Sequence, residues 1–161
     1  MSGFFTSDSY YTGPEMSDDL VRDAERRLGL VLPASYVRLL YERNGGVPVR
    51  CCCPAAAPTS WAEDHIKIEA LRGLGGEWGI DSEGGLGSVD MIREWGYPDV
   101  GVVICHMPSG GHDAVMLDYS GCGRDGEPSV IYVDDARRVQ TLARSFAEFV
   151  AALFVCPEYL P

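Results

Sequence analysis

The chain has 161 residues, 46% of them hydrophobic and 23% charged, and carries a formal net charge of −11. That length fits one domain able to bury its own core, and the balance of apolar and charged residues excludes wholesale disorder. No run reaches the roughly 20 apolar residues that cross a bilayer, and residues 1–14 lack the basic start and apolar core of an export signal, so a cytoplasmic protein is expected.

Ser17 before Asp18 and Asp19 reads as a helix N-cap followed by acids that complement the helix dipole. Leu20, Val21, Ala24 and Leu28 then mark one apolar face of a first helix, which Gly29 ends. The Leu32-Pro33 step opens a second helix carrying Tyr36, Val37, Leu39, Leu40 and Tyr41, stopped by Asn44-Gly45-Gly46. Residues 54–60 follow neither period and read as a surface loop. Ile66 and Ile68, with Leu71, suggest a strand. Seven glycines in 73–87 predict loops and tight turns, and a short helix capped by Ser88 comes next, ending near Trp95-Gly96.

Residues 102–105 read as an apolar strand. Across 112–119, Asp113, Val115, Leu117 and Tyr119 alternate with His112, Ala114, Met116 and Asp118, which predicts a second strand, and 129–133 a third. Their 120–128 link is too short for a parallel crossover, so an antiparallel, meander-like sheet is expected. Ser145 and Glu148 form an S-x-x-E capping box, and Phe146, Phe149, Val150 and Leu153 lie beyond it at helical spacing.

Patterns that could carry chemistry fail on their context. Gly121-Cys122-Gly123-Arg124-Asp125-Gly126 matches G-x-G-x-x-G, yet Glu127-Pro128 leads into a strand, whereas a dinucleotide fingerprint must open a helix. Ser109 lacks the preceding glycine of a nucleophile elbow, since Met107 stands there. His112 and Asp118 share a strand face but lie about 20 Å apart along it, too far to ligate one ion. Asp134 and Asp135 are strand neighbours and point oppositely; they are expected to end the strand and cap the segment after it. His65 reads as an ordinary surface histidine. Cys51, Cys52, Cys53, Cys105, Cys122 and Cys156 include no C-x-x-C spacing and fit thiols in a reducing cytosol, with the 51–53 run open to oxidation if exposed. No catalytic residue, metal or cofactor is expected, and the chain reads as a non-enzyme.

The charge is concentrated in one segment. Residues 77–135 hold twelve acids against Arg93 and Arg124, a net of −10. Such a field repels nucleic acid and anionic membrane and attracts basic proteins over a Debye length of about 8 Å.

The order of signals is specific. Gly29-Leu30-Val31-Leu32-Pro33 leads to Tyr36 and Leu39-Leu40; Asn44-Gly45-Gly46 and Trp78-Gly79 come after, then Gly110-Gly111-His112-Asp113, Gly126-Glu127-Pro128 and Leu142-Ala143-Arg144-Ser145-Phe146. Together they resemble the SUKH superfamily, which includes the yeast Smi/Knr-type cell-wall synthesis regulator. The resemblance covers about residues 17–154, leaving a 1–16 N-terminal extension and a 155–161 tail; residues 51–60 depart from the pattern. It implies a single α+β domain whose central, mainly antiparallel sheet is flanked by N- and C-terminal helices, without a catalytic centre. Bacterial members resemble immunity proteins of polymorphic or contact-dependent toxin systems, so the implied partner is a cognate toxin, often a nuclease, with a basic surface. The partner-binding face expected from the acidic segment combines Asp81, Glu83, Asp99, Asp113 and Asp118 with the aromatic anchors Trp78, Trp95 and Tyr97. A regulatory adaptor is the alternative use of such a face. A small-molecule enzyme ranks last and requires a deep polar pocket.

Overall fold

The computed structural model describes residues 3–157. The chain enters helix α1 (Asp18–Leu28) at Ser17, whose side-chain oxygen accepts from Leu20 N, and leaves it at Gly29 with φ 73°. That left-handed turn lets Gly29 N donate to Glu25 O and close the last turn. Helix α2 (Ala34–Glu42) starts after Pro33 and buries Tyr36 and Leu40.

Strand β1 (Cys52–Pro54) pairs antiparallel with β2 (His65–Lys67), and β3 (Ala70–Leu71) lies just beyond. After the glycine-rich loop come α3 (Ser88–Trp95), β4 (Gly101–Val103) and β5 (Cys105–His106), which pairs with β3. Then β6 (Ala114–Asp118), β7 (Ser129–Val133) and β8 (Val139–Ala143) complete an antiparallel sheet of order β4-β6-β7-β8 before α4 (Phe146–Ala152) closes the domain. The α+β class, the antiparallel hairpin at 120–128 and all four helices are as the sequence predicts.

The alternation in β6 places the sheet between two apolar clusters. Val115 and Leu117 join Ala24, Tyr36, Leu40, Phe146 and Phe149 on the side of α1, α2 and α4. Ala114 and Met116 join Ile92, Tyr97 and Val103 on the side of α3. A central strand covered on both faces contributes about 1.5–3 kcal/mol for each large apolar side chain it fully buries.

The structure departs from the sequence reading at several points. Ser88 is the first residue of α3 and Gly87 its N-cap; the Ser88 hydroxyl instead accepts from Val103 N at 2.8 Å, tying helix to sheet. Ile104 interrupts the expected 102–105 strand and divides it between two sheets. The 139–143 segment, unassigned in sequence, is an edge strand whose outer side chains are exposed, so it lacks the apolar signal of its neighbours. Asp134 does end β7, but its carboxylate accepts from Ala136 N and Arg138 N to shape a hairpin into β8. His65 is half-buried beside Phe154 and not on the open surface.

The cysteine run needs the largest correction. Cys51, Cys52 and Cys53 are buried, and Cys52 forms a disulfide with Cys156 across 104 residues. Main-chain bonds in both directions between Cys52 and Phe154 bring that partner in, which no local spacing announces. Residues 3–16 are also bound to the domain: Thr6 N donates to Val47 O, Val49 N to Phe4 O and Gly13 N to Asn44 O. Met1, Ser2 and residues 158–161 of the expected tail lie outside the described residues.

Candidate protein-binding surface

The glycine-rich segment is shaped from beneath by Arg72, which is fully buried. Its Nη2 donates to Gly79 O at 3.1 Å and to Leu86 O, while Nη1 donates to Val103 O at 3.3 Å and meets Met91 Sδ at 3.2 Å. Among the described residues no carboxylate forms an ion pair with it, and burial lowers its pKa to about 10. One guanidinium thus gathers carbonyls from the middle and the end of the loop and from β4.

A second clasp fixes the start of the loop. The buried Asn44 side chain donates to Pro14 O and Leu74 O and accepts from Leu74 N at 2.8 Å. Gly73 passes so close that a Cβ there would strike Asn44 Oδ1. Asp81 forms a third: its Oδ1 accepts from Gly75 N at 2.8 Å, and its Oδ2 lies 3.8 Å from Arg27 of α1. These clasps hold the backbone while leaving the tip outside, where the Glu83 side chain is 82% exposed and Leu86 37%, and Val89 in the first turn of α3 is 52% exposed.

Between this tip and α1 lies a groove of about 360 Å³, lined by Arg27, Leu28, Ile80, Asp81, Ser82, Glu83, Val89 and Asp90. It joins apolar walls to an acidic rim, with Arg27 Nη1 3.8 Å from Glu83 Oε1. Sequence reasoning missed Arg27, Leu86 and Val89. A valine in the first turn of a short helix was the available signal, but its exposure depends on α3 packing through Ile92.

Of the eight side chains expected on one face, Glu83 and Asp99 are exposed and Asp118 is partly exposed. Asp81 and Asp113 are 5% and 6% exposed, and Tyr97, expected as an exposed anchor, is 4% exposed. Each is consumed internally. The Tyr97 hydroxyl donates to Gly111 O, and Asp113 accepts from Ser109 Oγ and Tyr132 OH, both at 2.6 Å. Trp78 and Trp95 are partly buried: Trp78 lies against Tyr10, Tyr11 and His106, and Trp95 against His112.

The acids also divide in space. Asp113 and Asp118 flank opposite ends of β6, about 17 Å apart for a strand of that span. Asp99 and Asp118 share one end, because Gly101 pairs with Asp118 across β4 and β6. The other end carries Asp113 and Asp134, with Arg138 Nε 2.9 Å from Asp134 Oδ2 and Arg137 bonded to Trp95 O and His112 O.

The arrangement offers contact and charge. Ser109 Oγ donates to the Asp113 carboxylate, whose other oxygen accepts from Tyr132 OH, so this hydroxyl is tied into an internal network. Among the described residues no group of three or more His, Cys, Asp or Glu side chains gathers as a metal site, and no helix is long and apolar enough to cross a membrane. The family model described as SMI1 / KNR4 family (SUKH-1) matches residues 15–152. No curated protein and no solved structure matches the chain.

Proposed function

Because the chain belongs to the SMI1 / KNR4 family (SUKH-1), we propose that it works by binding another protein, and that this partner is a bacterial toxin which it neutralises in the cytoplasm. Proteins of this family are generally binding domains and not enzymes. The observation that carries the reading is the clasped loop: it holds Glu83 at the groove that Val89 of α3 also lines and keeps Leu86 exposed, so little conformational entropy is lost when a partner docks.

A basic toxin surface suits this site. Exposed Leu86 and Val89 supply the apolar contact, and Glu83 and Asp90 the complementary charge. Nucleases carry positive charge where they hold phosphates, so an acidic domain seated there excludes the substrate and is steered towards it. Of the acids of the expected face, Glu83 lines this groove, while Asp99 and Asp118 lie at the end of the sheet where β4 meets β6 and would add to the acidic field; Trp78 and Trp95 are assigned as supports.

Coexpression with toxin domains encoded beside this gene tests the reading directly, with rescue of growth as the expected result. Failure to rescue against every linked toxin removes the immunity role and leaves the regulatory adaptor, which uses the same surface. With a purified partner, Val89→Asp is expected to weaken binding about tenfold, roughly 1.4 kcal/mol. The association rate should fall as salt rises. A rate independent of salt contradicts steering.

A further inference from the structure

Three sulfurs converge where the C-terminal segment meets β1. Cys52 and Cys156 share the disulfide, and Cys51 Sγ lies 3.1 Å from Cys156 Sγ, closer than the roughly 3.5–4.0 Å at which non-bonded carbons pack. We infer that Cys51, Cys52 and Cys156 form a thiol–disulfide exchange site, in which Cys156 bonds alternately to Cys52 and to Cys51.

The step is an isomerisation and needs no external oxidant. The Cys51 thiolate attacks Cys156 Sγ; a Cys51–Cys156 bond forms as the Cys52–Cys156 bond breaks, and Cys52 leaves as a thiolate that takes up the proton Cys51 gave away. Backbone bonds keep the reactants together throughout. Cys52 N donates to Phe154 O at 3.1 Å and Phe154 N to Cys52 O at 2.9 Å, so the segment stays alongside β1 whichever sulfur holds it. Proximity of this kind replaces a second-order encounter by an intramolecular one.

The remaining thiols stand apart from the exchange. Cys53 is buried with its Sγ 3.5 Å from Pro54 O, and burial pushes its pKa up to about 12. All three members of the trio are buried, Cys51 at 7% exposure and Cys52 and Cys156 at 0%, so the exchange is internal to the fold. The C-terminal segment is therefore stapled by a bond that moves between Cys52 and Cys51, independently of any toxin.

The test uses the full chain in a glutathione redox buffer. Acid-quenched wild-type protein is unfolded, its thiols are alkylated, and peptide fragmentation between residues 51 and 52 reads which cysteine carries the label. Label on both is expected, with the minor isomer at about a tenth or more, the share left by a tenfold equilibrium ratio. Cys52→Ser should form the Cys51–Cys156 bond, leaving three alkylatable thiols where wild type has four. Label confined to Cys51 in wild type, or a folded Cys52→Ser protein with Cys156 fully alkylated, overturns the proposal. If Cys52→Ser does not fold, the wild-type label distribution decides.

Discussion

Arg72 carries a positive charge into the interior and surrounds it with carbonyl oxygens, so its cost of burial is met by hydrogen bonds instead of a countercharge. The same charge acts on its neighbour. His106 stacks on Tyr11 at 4.5 Å and meets Trp78 edge-on at 5.3 Å; burial, aided by Arg72, lowers its pKa from 6.5 to about 3. The unfolded chain takes up this proton below about pH 6.5, whereas the folded chain does so only near pH 3. Its contribution to stability is thus complete above 6.5 and is lost as pH falls through the window, with a slope of at most about 1.4 kcal/mol per pH unit. Urea unfolding of wild type and His106→Gln, compared between about pH 7 and about pH 4.5, should show the steeper loss in wild type. Parallel losses contradict the buried neutral histidine.

At the scale of elements, the helices were legible because their signals are local. Ser17 and Ser145 cap with their own side chains, Ser145 accepting from Glu148 N at 3.1 Å, and Gly29 closes α1 within one turn of its partner. The glycine-rich segment was legible as a loop but not as a rigid one, since its clasps come from Asn44 and Arg72 outside it. Gly73 shows the dependence. Gly73→Ala drives a methyl group into Asn44 and should separate α2 from the loop, with an expected loss of about 3 kcal/mol in urea unfolding. A loss below about 0.5 kcal/mol, the level of a neutral surface change, contradicts the close approach. Edge strand β8 was missed for a related reason: half its side chains face water, and its place is set by pairing with β7.

Across the whole molecule the acidic charge is unevenly compensated. Arg137 and Arg138 surround the end of the sheet that holds Asp113 and Asp134, and Arg27 lies beside Asp81 and Glu83. At the opposite end Asp99, Asp118, Asp125 and Glu127 form no ion pair among the described residues. Like charges held together there oppose folding. The combined variant Asp99→Asn, Asp125→Asn and Glu127→Gln is therefore expected to melt at or above the wild-type temperature at low salt, with the difference shrinking as salt rises. A lower melting temperature contradicts this distribution.

Taken alone, the sequence determined the family, the single α+β domain, the four helices, the β6–β7 hairpin and the acidity of the middle segment. Those properties rest on periodicity, caps and composition, all read within a few turns of chain. Tertiary structure decided which acids and aromatics are available: Asp81, Asp113 and Tyr97 turned inward because backbone groups and hydroxyls elsewhere in the fold claimed them. It also decided that Cys156 meets the 51–53 run, a contact made by strand pairing across 104 residues. Burial and long-range pairing belong to the assembled fold, and no single segment carries them.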